Sequence, residues 1–146
     1  MYTITVFSQE KKLSQKSKDE ITNFLHKNLE EYGDSKVDIK RAIGYAQGEN
    51  KSFGGSIIIA KSGNEIVGIV VLNKTGMAGY IPENILVYIA TSSLHRGKGI
   101  GKLLMNKTIE ISNGDIALHV EANNPALYLY EKIGFTNKYL EMRYIH

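Results

Sequence analysis

Residues 95–104, HRGKGIGKLL, interleave Gly97, Gly99 and Gly101 with Arg96, Lys98 and Lys102 just ahead of an apolar run. Bare backbone and positive charge before a helix suit an anion. Free N–H groups and the positive dipole end face it, and glycine removes the Cβ atoms that would hold a phosphate off the backbone. A P-loop does not fit, because its first-glycine position holds Arg96 and its Ser/Thr position holds Leu103, leaving no hydroxyl for magnesium. A Rossmann fingerprint fits poorly: the spacing is G-x-G-x-G, and TSSLH separates the glycines from the preceding strand. Glu121 stands where that fingerprint wants an acid, but successive βαβ units are missing. The pattern R-x-x-G-x-G, from Arg96 through Gly99 to Gly101, opening an amphipathic helix, reads as an anion cradle. A flexible glycine turn with a solvated basic rim is the alternative.

The elements that must position this loop follow from hydrophobic periodicity. YTITVFS (2–8) alternates as a first strand, and Ile21, Phe24, Leu25 and Leu29 form one helical face stopped by Gly33. A second helix runs from about Lys36 to Ala46, with Val37, Ile39, Ala42 and Ile43 as its apolar positions. SIIIAKSGNEIVGIVVLN is a hairpin turning at Ser62, Gly63 and Asn64. Residues 83–91 form a central strand, apolar on both faces from Ile85 to Ala90. Ile100, Leu103, Leu104, Thr108 and Ile111 share the face of the next helix, and GDIALHVEA is a further strand. Asn124-Pro125 begins a last helix that closes at Gly134, and FTNKYLEMRYI ends the chain as strand. The order β-α-α-β-β-β-α-β-α-β is an α/β domain around one mixed sheet flanked by helices. No repeat or linker divides residues 1–146, so a single domain is expected.

Composition narrows the function classes. A chain of 146 residues with 42% apolar and 23% charged residues has globular usage and length for one core. The net charge of +3 is short of a dedicated nucleic-acid binder, and the cluster Arg96, Lys98, Lys102 and Lys107 lacks an aromatic stacking platform. No nucleic-acid partner is expected. The absence of cysteine excludes disulfides, a thiol nucleophile and a cysteine zinc site, and no metal is expected. The start, MYTITVFSQEKK, has no signal-like apolar region and no run approaches about 18 apolar residues, so the expected setting is cytoplasmic and off the membrane.

A second, distant segment decides among the readings of the glycine loop. LHVEANNPALYLYEKIGF carries N-x-x-A-x-x-L-Y-x-x-x-G-F through Asn123, Ala126, Leu129, Tyr130, Gly134 and Phe135. With R-x-x-G-x-G after the fourth strand, the chain resembles the GNAT N-acetyltransferase superfamily, in topology over most of its length and in motif over about residues 85–135. The interval from Val120 to Asn123 is one residue shorter than in many relatives, so either Asn123 or Asn124 takes the family asparagine role and the other caps the helix.

The resemblance implies a GNAT-like fold with two splayed parallel strands, ILVYIAT and IALHVEA, holding acetyl-CoA between them. It implies backbone contacts from Ile89, Ala90 and Thr91 and a pyrophosphate cradle from Arg96, Gly97, Lys98, Gly99, Ile100, Gly101 and Lys102. It implies Tyr130 as the acid that protonates the departing thiolate, and an amine, small or on a protein, as acceptor. The general base stays open among Glu83, His119 and water, because the strand position that holds glutamate in some relatives holds Ile85 here. The acceptor side would draw on residues 13–48, the segment 74–84 and the C-terminal strand. The family admits a homodimer, which nothing in this sequence displays. A non-catalytic acyl-CoA-binding or regulatory domain is the second function class, though a pure binder needs no acid at Tyr130.

Overall fold

Strand formers and helix caps set the order of elements, which the computed structural model describes for residues 1–146. The chain runs β1 (Thr3–Phe7), α1 (Gln15–Leu29), α2 (Lys36–Ala46), β2 (Gly55–Ser62), β3 (Glu65–Lys74), β4 (Asn84–Thr91), α3 (Ile100–Ile111), β5 (Ile116–Leu118) and α4 (Ala126–Ile133). Ser14 and Ser35 open α1 and α2, each hydroxyl accepting an N–H three residues on, from Ser17 and Asp38. The five strands lie in chain order; β1 to β4 are antiparallel neighbours, and β5 joins β4 in parallel.

The sheet is covered on both faces, so β3 is buried continuously from Val67 to Leu72. On one face α1 and α2 pack Ile21, Leu25, Ile39 and Ile43 against Ile57, Ile59, Ile69 and Val71. On the other, α3 and α4 pack Ile100, Leu104, Met105 and Tyr130 against Ile58, Val70, Leu72 and Leu86. Val37 and Leu103, expected on the inner helical faces, lie exposed, while Ala46 and Met105 are buried.

Two expectations fail at the end of the sheet. GDIALHVEA pairs only over Ile116–Leu118, and residues 136–146 form no strand at all. A strand needs a ladder partner as well as β-forming residues. Because β5 leaves the sheet after Leu118, the tail meets no long edge, and Leu140, Met142 and Tyr144 stay exposed.

Candidate active site

The decisive local feature is a β-bulge. Opposite β3, Val71 pairs with Tyr88 and Leu72 with Leu86, so Val87 is the extra residue. Bulges increase twist and disrupt pairing locally, and here the parallel ladder stops at the same place: Asn84, Ile85 and Leu86 face Ile116, Ala117 and Leu118, and no strand pairs with that edge of β4 beyond. Ile89, Ala90 and Thr91 remain bonded to β3 opposite Val70, Ile69 and Gly68. Their other edge faces the gap left by β5, where backbone donors and acceptors stand free for a ligand.

Beyond Thr91 a single 3₁₀ turn (Ser93–His95) leads into the glycine loop. Gly97 and Gly99 have φ of +79° and +81°, which L side chains rarely adopt, and a Cβ at either would meet nothing within 4 Å. No side chain caps α3, and its first internal bond is Leu103 N–H to the Gly99 carbonyl at 3.0 Å. The N–H groups of residues 97–102 therefore have no partner within the chain. The last of them belong to the first turn of a 12-residue helix, at its positive end.

The side chains of the loop divide into three roles. Lys98 and Lys102 are exposed and make no ion pair. Ile100 is buried in the core, so only its backbone faces the loop. Arg96 reaches the end of α1: Nη1 donates to Glu30 Oε1 and Nη2 to the Asn28 carbonyl, both at 3.0 Å. Gly101 lies inside the helix, and a Cβ there would stand 3.0 Å from Leu129 Cδ2. Its missing side chain thus admits α4 against α3.

That packing brings in Tyr130. The ring is 6% exposed and tilted against Phe135 with centroids 5.9 Å apart. Burial pushes the hydroxyl pKa up to about 12, and the hydroxyl has no hydrogen-bond partner in the chain. The two asparagines separate as well. Asn124 Oδ1 accepts the Ala126 N–H at 2.9 Å and opens α4, with Pro125 already helical at φ −57°. Asn123 offers only its carbonyl, to the Tyr32 hydroxyl at 3.2 Å, and keeps its side-chain amide free. Tyr32 sits in the 3₁₀ turn after α1, so this bond ties the α1 end to the turn before α4. Desolvation, then Glu31 and Glu121, raise the Tyr32 pKa.

The base candidates fare differently. Glu83 accepts N–H groups from Asp115 at 2.7 Å and Gly79 at 3.2 Å, which hold its carboxyl below the ordinary range. It is a clasp closing the 75–83 loop onto the start of β5, at the end of β4 remote from the glycines. His119 lies one residue past β5, largely exposed, 3.9 Å from Glu141. Neither makes a hydrogen bond with Tyr130. Sequence reasoning missed Asp34, whose carboxylate accepts the Tyr88 hydroxyl at 2.6 Å and anchors the α1–α2 connection to β4. A cleft of about 450 Å³ lies between Phe53, Met77, Glu83 and Asn113, along the 74–84 segment expected on the acceptor side.

A family model described as an acetyltransferase (GNAT) domain matches residues 53–137. The chain belongs to the GNAT acetyltransferase family. The matched residues run from the start of β2 past the end of α4 and so contain the bulge, the glycine loop and Tyr130. A solved structure from Pyrococcus horikoshii OT3 is 27% identical, with 96% of this chain and 93% of that chain covered at a TM-score of 0.69. A GNAT-family acetyltransferase from Streptococcus pneumoniae TIGR4 shares the fold at 17% identity, covering 100% and 98% with a TM-score of 0.70. A ribosomal-protein-alanine N-acetyltransferase from Brucella melitensis biovar Abortus 2308 does so at 17%, covering 100% of both with a TM-score of 0.66. This GNAT acetyltransferase thus shares the family's mixed sheet flanked by helices along its length, and no helix is long and apolar enough to cross a membrane.

Proposed function

We propose that residues 1–146 form one acetyl-CoA-dependent N-acetyltransferase unit that acts in the cytoplasm on an amine. The observation that carries this reading is the coincidence of a free β4 edge with an uncapped, glycine-rich helix start in one continuous stretch, residues 88–102. A pantetheine arm carries amides suited to pairing with a strand edge, and a pyrophosphate suits the N–H groups beyond it.

Residues of the gap fit such a ligand. Ile89, Ala90 and Thr91 would offer backbone groups to the pantetheine amides. Gly97 and Gly99 leave open space where phosphate oxygens would approach, and Lys98 and Lys102 supply charge no carboxylate has claimed. Asn123 keeps its amide for the ligand while Asn124 serves the helix. Acetyl-CoA, when bound, supplies an acetyl group activated as a thioester. An N–H on the free edge of β4 would stabilise charge developing on the acyl oxygen. Tyr130 stays protonated at every physiological pH, so it holds a proton for the sulfur that leaves as the amine attacks. The clasped geometry of Glu83 makes it a poor base, and solvent takes the amine's proton.

The test is release of free thiol from acetyl-CoA across a panel of small amines, peptide N-termini and lysine peptides. Amine-dependent release that fails in Tyr130→Phe supports the reading. Absence of release with every amine, from folded protein that binds acetyl-CoA, would leave a binding domain without catalysis.

A further inference from the structure

Arg96 opens the R-x-x-G-x-G pattern, and its place beside Gly97 invites assignment as a phosphate ligand. Both of its Nη atoms already hold a partner. One arm meets the Glu30 carboxylate and the other the Asn28 carbonyl, each at 3.0 Å. The Asn28 carbonyl is among the last of α1, where the dipole favours a cation. Asn28 itself is buried and bonded at both amide atoms: Nδ2 donates to the Phe24 carbonyl at 2.9 Å, and Oδ1 accepts the Ser93 N–H at 3.2 Å. The turn and the glycine loop are therefore fastened to α1 on both sides, at Ser93 and at Arg96. Glu30 holds φ +56° and ψ −128°, a conformation that L residues take up only when surroundings impose it.

We propose that Arg96 and Glu30 are positioning residues: their pair, with Asn28, holds the glycine loop against the end of α1 in the shape that receives the anion, and Arg96 does not itself contact phosphate. The proposal rests on the acetyl-CoA reading above. Charge makes the two roles opposite in sign. If Arg96 bound pyrophosphate, removing the Glu30 carboxylate would release the guanidinium and tighten binding. If the pair positions the loop, the same change loosens the backbone cradle and weakens binding although the protein becomes more positive.

Acetyl-CoA affinity is measured by calorimetry for the wild type, Glu30→Gln, Arg96→Ala, Arg96→Lys and the Glu30→Gln/Arg96→Ala double variant, with Lys98→Ala for comparison. Amide exchange of residues 93–99 is followed without ligand. Arg96→Ala is expected to raise the dissociation constant about tenfold, Glu30→Gln to raise it by less because the Asn28 arm remains, and the double variant to match Arg96→Ala alone. Arg96→Lys keeps the charge but loses the fork and is expected to resemble Arg96→Ala. Exchange at the bonded Ser93 and His95 amides rises in each of these Glu30 and Arg96 variants. Glu30→Gln binding at wild-type affinity or tighter, near-normal affinity in Arg96→Lys, or unchanged exchange would each overturn the proposal. Wild-type protein that ignores acetyl-CoA would overturn the cofactor reading itself, and the proposal with it.

Discussion

Leu129 Cδ2 lies 3.0 Å from the point where a Cβ on Gly101 would stand, so the second motif packs onto the first through an absent side chain. The relationship joins the helix that opens at the glycine loop to the helix that carries Tyr130. An alanine at Gly101 gains helix propensity while crowding Leu129, and its net effect on stability is expected to be small. Gly101→Val overpacks the contact and is expected to cost about 1–3 kcal/mol in thermal or chemical denaturation. Leu129→Ala in the Gly101→Val background should restore part of the loss. Additive losses in the double variant would show that the two residues do not share this contact.

Tyr130→Phe keeps the ring and its packing on Phe135 and removes only the hydroxyl. Turnover is expected to fall about a hundredfold or more, with acetyl-CoA affinity nearly unchanged. Because the pKa is pushed up to about 12, no falling limb from Tyr130 should appear in the rate profile below pH 10. The same shift bears on stability. The folded value lies above the unfolded value of about 10, so its stabilisation is present below pH 10 and lost as pH rises towards 12. Tyr130→Phe should show a shallower alkaline decline than wild type. An equal decline in both would remove the buried hydroxyl as its cause. Tyr88, raised by burial and by Asp34, adds to the decline in both proteins.

Glu83→Gln separates clasp from base. The lowered carboxyl pKa means that its stabilisation is present above the ordinary value of 4.5 and lost as pH falls through the lower folded value. Wild type should therefore be more stable than Glu83→Gln at pH 7, with the difference vanishing in acid. The rising limb of the pH–rate profile should stay in place. Its disappearance in Glu83→Gln would return the glutamate to the list of bases.

Much of the fold is written in local pattern. The second helix, expected over Lys36–Ala46, occupies those residues, and the hairpin turns between Ser62 and Glu65 as its glycine and asparagine require. Periodicity works there because each element buries one stripe or both faces against the same core. It fails for residues 136–145, where strand-forming residues lack a ladder partner once β5 leaves the sheet at Leu118. The glycine loop and Tyr130 were legible as motifs. The bulge at Val87 was not, since an extra residue in one strand is set by pairing with another. Nor was the engagement of Arg96, whose partner Glu30 lies 66 residues away. The partners of Glu83 were hidden for the same reason: its carboxylate accepts N–H groups from Gly79 and Asp115.

The central claim is that the free β4 edge and the glycine loop hold acetyl-CoA, and calorimetric titration of the wild type and Gly99→Glu tests it most directly. Gly99 has φ +81° and open space around it, so glutamate there adds strain, bulk and negative charge to the cradle. The account predicts micromolar binding of acetyl-CoA by the wild type, none of NADH, and loss of acetyl-CoA binding in the folded variant. Folded wild type that does not bind acetyl-CoA, or Gly99→Glu that binds it equally well, would contradict it.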